Sequence, residues 1–196
     1  MNDVSFQWMD FDTNADQILK MRHDIFVKEY CMNRITTMST KDEGGVHLAM
    51  FDGDTLIGVI SGYFFDRHHV TVSQYELPIC DGIYFQVAKL AARSSNRIYA
   101  PGLCLLYALI GGVSEQISFD MILTFLHTPQ FKQSSWYHFD LGFEHSLIRR
   151  YNYYPVKILY GTPSVDKRAS LRKVGFELPV TVPLLADVVH KPALFA

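Results

Sequence analysis

Cysteine, net charge and long apolar runs are all scarce in this sequence. It has only three cysteines among 196 residues, namely Cys31, Cys80 and Cys104. They are too few and too scattered for a disulfide framework or a paired-cysteine metal site, so we expect no metal. The formal net charge is −2. This lack of a basic excess argues against a nucleic-acid partner.

The sequence also lacks a continuous apolar segment suited to crossing a membrane. Its longest uncharged run, residues 98–114, is interrupted by Pro101, Gly102, Gly111 and Gly112. We therefore expect no membrane span. The first residues carry neither the basic nor the apolar segment of a secretory signal. Together with the low cysteine content, this predicts a protein of the reducing cytoplasm.

Apolar and aromatic side chains are abundant. Hydrophobic residues make up 48% of the chain and aromatic residues 14%. A disordered chain does not carry so much apolar content, so this chain can bury a core. Large rings either fill such a core or line a cavity for an apolar ligand, and for most of them we expect the core. The rings concerned are Phe6, Trp8, Phe26, Phe64, Phe65, Tyr84, Phe85, Tyr107, Phe125 and Trp136.

The spacing of apolar residues predicts alternating strands and helices. Strands are predicted at residues 4–10, 46–51, 56–64, 82–92, 121–126, 143–151 and 155–160. Helices are predicted from Asn14 or Asp16 to about Tyr30, at residues 99–116, from Pro129 to Gly142, and at residues 165–173. The Asp52-Gly53-Asp54 segment predicts a tight hairpin turn between two strands.

This order of elements predicts an α/β (α+β) fold. A mixed, mostly antiparallel central sheet flanked by helices, with one parallel strand-helix-strand crossover, accommodates it. Residues 1–162 are predicted to form one domain. Residues 163–196 are predicted to be a C-terminal extension packed on the same domain.

The most informative segment, residues 83–102, runs from a predicted strand through a turn into an uncharged helix. Ala100 and Gly102 place small residues where a backbone can approach a ligand closely. The amide groups and dipole of a helix N-terminus favour an anion. The segment therefore predicts a phosphate or pyrophosphate site, with an ordinary glycine-containing helix start as the alternative.

Four local patterns, in this order of elements, resemble the GNAT N-acyltransferase superfamily. They are the degenerate pyrophosphate loop Arg97-x-x-Ala100-x-Gly102, the strand pair ending in Ile57-Gly58-Val59, the Trp-Tyr-His-Phe-Asp-Leu-Gly-Phe-Glu segment at 136–144, and the first helix, in which Phe26 follows Arg22 by four residues. The last pattern, with Gln86-x-x-Lys89-Leu90-Ala91, is most similar to N-acyl amino acid synthases and acyl-homoserine-lactone synthases. Together the patterns cover about residues 15–160.

The resemblance implies an N-acyltransferase that uses acyl-CoA or acyl-phosphopantetheine as co-substrate. A medium or long acyl chain and a small amine acceptor, such as an amino acid, are favoured. An acidic acyl carrier protein would require a basic docking patch, for which Arg149, Arg150, Lys157 and the basic helix at 165–173 are candidates. The thioester-binding residues implied by the resemblance are Val87, Ala88, Lys89, Leu90 and Ala91 on the strand and Arg97, Ile98, Tyr99, Ala100, Pro101, Gly102 and Leu103 in the loop.

The implied catalytic positions depart from the family pattern. Gln86 stands at the position of the usual acidic residue, and a glutamine cannot act as a general base. His138 falls at the position of the tyrosine that protonates the leaving thiolate in many relatives, with Tyr137 one residue earlier. The base is left open among Glu29, Glu43, His47, Asp66 and His127.

Two alternatives to long-chain acyl transfer follow from these departures. One is a catalytically silent protein with the same fold that binds acyl thioesters. The other is an ordinary N-acetyltransferase that uses acetyl-CoA. The sequence does not predict the oligomeric state.

Overall fold

The computed structural model describes residues 4–34, 37–94, 100–127, 143–151 and 154–162. Its elements are β1 (Val4–Met9), α1 (Phe11–Arg22), a π-helical segment (His23–Glu29), a 3-10 turn (Asp42–Gly44), β2 (Val46–Asp52), β3 (Thr55–Phe65), α2 (Val70–Gln74), β4 (Tyr84–Ala92), α3 (Pro101–Gln116), β5 (Met121–His127), β6 (His145–Tyr151) and β7 (Tyr154–Gly161). The predicted strands are all present, and each differs from the prediction only at its ends.

The described strands form one seven-stranded sheet in the order β1-β2-β3-β4-β5-β7-β6. β4 and β5 are parallel, with α3 as the crossover between them, and the other neighbouring strands are antiparallel. This confirms the predicted mixed sheet with one parallel crossover. Gly53 has a φ of 58° in the turn between β2 and β3, which confirms the Asp-Gly hairpin.

The sheet separates two apolar layers. Leu105 and Leu109 of α3 pack with Leu48 and Met50 of β2 on one face. Ile18 and other residues of α1 pack with neighbouring strand residues that point to the opposite face. Most of the predicted core rings are buried in the protein, namely Phe6, Trp8, Phe26, Phe64, Phe65, Tyr84, Phe85 and Tyr107. Phe125 is half-buried, and Trp136 lies outside the described residues.

The first helix differs from its prediction mainly at its start. Its N-cap is Asp10, which lies four residues before Asn14 and six before Asp16, and the Asp10 carboxylate accepts the Asp12 N–H at 2.9 Å. From His23 to Glu29 the backbone continues as a π-helical segment that is capped by Tyr30, so the predicted helix to about Tyr30 is present and its second half is π-helical. The wider turn is closed by the Tyr30 N–H, which donates to the Ile25 carbonyl at 3.0 Å.

Smaller differences concern the crossover region and α2. β4 begins at Tyr84 rather than at Gly82, and α3 begins at Pro101. α2 was not predicted; its cap is His69, whose Nδ1 accepts the Thr71 N–H at 3.2 Å.

Several predictions fall outside the part of the chain that the structure describes. They are the helix from Pro129 to Gly142, the basic helix at 165–173 and the extension at 163–196. Among the described residues, no helix is long and apolar enough to span a membrane.

Candidate functional site

The site is a cleft that opens where β4 and β5 separate. The two strands pair only from Tyr84 opposite Met121 to Val87 opposite Thr124. Beyond this point β4 continues to Ala92, whereas β5 pairs with β7 on its other side. The resulting cleft has a volume of about 770 Å³, which is within the range of small-molecule sites. The edge of β4 that faces it is open to hydrogen bonding by a ligand.

A β-bulge in β4 accounts for this separation. Ser61 of β3 lies opposite Ala88 and Val59 lies opposite Ala91, so Lys89 and Leu90 together face the single residue Ile60. Lys89 has a φ of 54°, in the left-handed region. A bulge bends and twists its strand, which turns β4 away from β5 immediately after their last pair.

The N-terminus of α3 forms one end of the cleft. Ala100 precedes the helix with a φ of 50° and, as an alanine, supplies no side-chain cap. The amides of Leu103 and Cys104 both donate to the Ala100 carbonyl, at 2.9 and 3.1 Å. The first turn contains no acidic residue. A Cβ added at Gly102 would lie 3.5 Å from Leu90 Cδ2, so this helix end adjoins the bulged part of β4.

Lys41 borders the cleft on the other face of the sheet. Its Nζ donates to Thr71 Oγ1 at 3.0 Å and to Gln86 Oε1 at 3.4 Å. It also lies 5.1 Å from the centre of the Phe65 ring. Burial lowers the pKa of Lys41 to about 8, because a low-dielectric environment disfavours the ammonium form.

A buried polar network holds the segment that carries Lys41. Arg22 and Asp42 are fully buried and form an ion pair at 2.9 Å. Asp42 also accepts the Tyr63 hydroxyl at 2.8 Å and the Ser39 N–H at 2.7 Å. Burial alone would raise the pKa of Asp42, but the hydrogen bond and charge of Arg22, with the hydrogen bonds from Tyr63 and Ser39, together hold that pKa below its usual value. Since Lys41 directly precedes Asp42, the network fixes the position of the lysine.

The same network sets the tautomer of His47. Its Nε2 lies 2.8 Å from the Asp42 carbonyl, which can only accept, so Nε2 carries the proton. Its Nδ1 lies 2.7 Å from Ser61 Oγ and accepts from it. The Ser61 hydroxyl in turn accepts from Arg22 at 2.6 Å. Burial lowers the pKa of His47, and this arrangement suits the neutral ring.

The charge lining the cleft is of one sign. Among the described residues, the charged ones that line it are Lys41, Lys89 and Arg93, and none is Asp or Glu. Burial lowers the pKa of Lys89 to about 8, and Arg93 pairs with Asp24 at 2.8 Å. Within the same part of the chain, no group of His, Cys, Asp and Glu is arranged to hold a metal ion.

The structure brings many of the proposed thioester-binding residues together. Those that line the cleft are Val87, Ala88, Lys89, Leu90, Ala100, Pro101, Gly102 and Leu103. Ala91 does not line the cleft, because its side chain is buried among the residues that pack with α1. Arg97, Ile98 and Tyr99 lie outside the described residues.

Only part of the proposed catalytic set is found at the cleft. Gln86 lines the cleft, whereas Glu29 is exposed at the end of the π-helical segment and does not line it. His138 and Tyr137 lie outside the described residues. Of the other candidate bases, His47 is enclosed in the buried network and Glu43 is exposed.

Sequence reasoning missed Lys41 and the Arg22–Asp42 pair. One signal for the pair was present, because Arg22 follows Ile18 by four residues on the buried stripe of α1. A charged residue on an apolar helix face implies a buried partner. Nothing in the local sequence marks Lys41, which meets Gln86 only in the folded protein.

Sequence comparison alone does not identify this chain. No protein-family model matches it, and no curated protein sequence matches it.

Solved structures do match the chain. The CoA-dependent acyl-homoserine lactone synthase BjaI, solved with SAM and isopentyl-CoA, is 14% identical, with a TM-score of 0.63 over 90% of this chain and 92% of that chain. FeeM, an N-acyl amino acid synthase from uncultured soil microbes, is 12% identical, with a TM-score of 0.53 over 88% of this chain and 99% of that chain. NAA60 of Arabidopsis thaliana, solved with acetyl-CoA, is 12% identical, with a TM-score of 0.59 over 82% of this chain and 98% of that chain.

The chain has the GNAT-type fold. The resemblance noted in the sequence is thereby confirmed at the level of the fold. In this chain, the opening between β4 and β5 and the N-terminus of α3 border the same cleft. The chemistry of this cleft depends on its own residues, because a shared fold does not establish an activity.

Proposed function

We propose that this protein is an N-acyltransferase that moves a medium or long acyl chain from acyl-CoA, or from an acyl carrier protein, to a small amine such as an amino acid. The observation that carries the proposal is the single cleft of about 770 Å³, which joins the open edge of β4 to the N-terminus of α3. These are the two features that an acyl thioester with a phosphorylated arm requires.

The residues of the cleft suit the two parts of such a donor. The Gly102 amide and the dipole of α3 favour a pyrophosphate, whereas Pro101 has no N–H and the Leu103 and Cys104 amides donate to the Ala100 carbonyl. Gly102 presents no side chain that would keep this anion away from the backbone. The edge of β4 beyond Val87 can hydrogen-bond the amides of a pantetheine arm, as an added strand does. A backbone N–H of the same edge is the proposed donor to the oxyanion.

Acyl transfer then follows from proximity. The acceptor loses its ammonium proton to solvent, its nitrogen attacks the thioester carbon, and the carbon–sulfur bond breaks. The thiolate takes one of the two remaining protons of the nitrogen and the other stays on the amide product; His138 or Tyr137 is proposed to relay the transferred proton. Gln86 cannot remove a proton, but its amide oxygen can orient an amine N–H. Its side chain reaches the cleft from the face that carries Lys41.

The lining of the cleft supports a chain longer than acetyl. Ile25 and Phe26 of the π-helical segment contribute apolar surface, and Leu106, Phe125 and Leu126 contribute it from α3 and β5. An acetyl group would leave most of this surface uncovered. Burying a longer chain would gain roughly 0.8 kcal/mol for each methylene group.

A second candidate function is binding of an acyl thioester without turnover. It is favoured by Gln86, which is 8% exposed and stands where a base would be useful. It is also favoured by the absence of Asp and Glu among the described residues that line the cleft.

A thermal-shift titration with CoA, acetyl-CoA, octanoyl-CoA and palmitoyl-CoA tests the proposed donor. We expect the melting temperature to rise more with octanoyl-CoA or palmitoyl-CoA than with acetyl-CoA, because a ligand that binds the folded state stabilises it according to its affinity. Stabilisation by acetyl-CoA alone would instead select ordinary acetyl transfer. No shift with any of the four compounds would reject a CoA donor, and the acyl carrier protein would be tested next.

A further inference from the structure

Lys41 places a cation at the cleft with uncharged partners. Among the described residues, its Nζ hydrogen-bonds the Thr71 hydroxyl and the Gln86 amide oxygen, and it lies over the Phe65 ring. The ion pairs formed within that part of the chain do not include Lys41. An ammonium group has three N–H donors, so two are used and the third is available to a ligand.

The surroundings of Lys41 favour an anionic ligand. The charged residues among the described lining of the cleft are all basic, and burial lowers the pKa of Lys41 to about 8. A desolvated cation gains stability from a carboxylate that enters the same site. Among the described residues, His69, which caps α2, interacts electrostatically with Lys41, and the neutral Gln86 of β4 accepts from it. Asp42 follows Lys41 in the sequence, and its charge is paired with Arg22.

The position of Lys41 identifies which ligand would supply this carboxylate. The anion-binding end of α3 adjoins Leu90 and Ala92, which pack with the α3 layer. Gln86 instead meets Lys41 on the other side of β4, and Lys41 also donates to Thr71 of α2. The phosphates of the donor and the anion at Lys41 would thus occupy opposite faces of the sheet, so this anion belongs to the acceptor.

We propose that Lys41 anchors the carboxylate of the acceptor, so that the acceptor class is a primary amine that also carries a carboxylate. This inference rests on the proposed acyl transfer. The third N–H of Lys41 donates to the carboxylate, and Gln86, its neighbour, meets the amine beside the end of the β4–β5 pairing. Lys41 acts here as a specificity residue rather than as the base, because a third hydrogen bond to a carboxylate and the contact with the Phe65 ring both favour the ammonium form.

Calorimetric binding of two product analogues tests the proposal. N-octanoylglycine carries the carboxylate, and N-octanoylglycinamide replaces it with a neutral group of similar size. We expect the wild-type protein to bind the carboxylate at least about tenfold more tightly, which is the usual size of a charge-assisted hydrogen bond. Lys41→Met should abolish this preference, and Lys41→Arg should retain most of it.

Lys20→Met is the matched control, because Lys20 is exposed on α1 and its loss should leave the preference unchanged. Equal binding of the two analogues by the wild-type protein, or binding of neither, would overturn the proposal. A preference that persists in Lys41→Met would also overturn it. If the Lys41→Met protein is unstable, the wild-type comparison still tests the proposal, because it needs no variant. Lys41→Gln is then a second variant for the same measurement. A different result would reject the proposed acyl transfer, namely the absence of thiol release from octanoyl-CoA with any amine.

Discussion

Asp42→Asn is expected to lower the free energy of unfolding by about 3 to 5 kcal/mol, which is the usual cost of removing one partner of a buried ion pair. The change keeps the shape of the side chain but leaves the Arg22 guanidinium without its counter-ion. Arg22 is fully buried, and its remaining partners are the Thr37 carbonyl and the Ser61 hydroxyl. Since natural domains unfold with about 5 to 15 kcal/mol, urea denaturation should show the loss clearly.

The double variant Arg22→Met/Asp42→Asn provides the decisive comparison. The single amide oxygen of the introduced asparagine could still accept from the Tyr63 hydroxyl or from the Ser39 N–H, and no unpaired charge would remain. We therefore expect the double variant to be more stable than Asp42→Asn alone, with a coupling energy that a double-mutant cycle measures. Arg67→Met is the exposed control, because the Arg67–Asp81 pair is open to solvent and its loss should change stability little. Equal effects of Asp42→Asn and Arg67→Met would contradict the structural role of the pair.

The same network predicts that stability falls in acid. Burial lowers the pKa of His47. Burial would raise the pKa of Asp42, but Arg22 and the hydrogen bonds from Tyr63 and Ser39 together hold it below its usual value. A lowered pKa means that the unfolded chain takes up the proton first. The contribution of His47 is therefore complete above pH 6.5, its unfolded value, and decreases as the pH falls below that. The contribution of Asp42 is lost only below about pH 3.8. His47→Gln should flatten the stability profile just below pH 6.5.

Gly102→Ala is expected to weaken CoA binding at least about tenfold, a difference of roughly 1.4 kcal/mol. The added methyl group would stand where the proposed pyrophosphate approaches the first turn of α3. The protein itself has room for it, because the nearest atom to the new Cβ would be Leu90 Cδ2 at 3.5 Å, an ordinary contact. A loss of binding would thus report on the ligand rather than on the fold.

Gly111→Ala is the matched control in the same helix. A Cβ at Gly111 meets nothing within 4 Å, and alanine favours a helix over glycine by about 0.8 to 1 kcal/mol. Gly111→Ala should therefore raise the melting temperature and leave the affinity for CoA unchanged. An unchanged CoA affinity in Gly102→Ala would remove the N-terminus of α3 from the proposed site.

The sequence predicted the fold well where local patterns decide it. The two apolar runs of β2 and β3, with Asp-Gly between them, lead to the observed hairpin, and the uncharged run after Pro101 leads to the observed α3. The sequence did not predict the features in which packing overrides the local conformational preference. The π-helical continuation of α1 and the left-handed Lys89 in the bulge have no local signal.

The candidate site was predictable only in part, for a related reason. Val87 to Leu90 and Ala100 to Leu103 are two short segments, each recognisable alone, and the crossover brings them together. The residues proposed to face the acceptor come from three separate segments of the chain. Lys41 precedes a 3-10 turn, Thr71 lies in α2 and Gln86 lies in β4, so only the folded chain assembles them. No local sequence pattern therefore marks Lys41 as a binding residue.

The most direct test of the account is thiol release from octanoyl-CoA by the wild-type protein, with and without a panel of amino acids and simple amines. We predict release that depends on the acceptor and that matches the N-octanoyl product, mole for mole, by mass spectrometry. Binding of octanoyl-CoA without acceptor-dependent release in any mixture would contradict catalysis and select the silent thioester-binding protein.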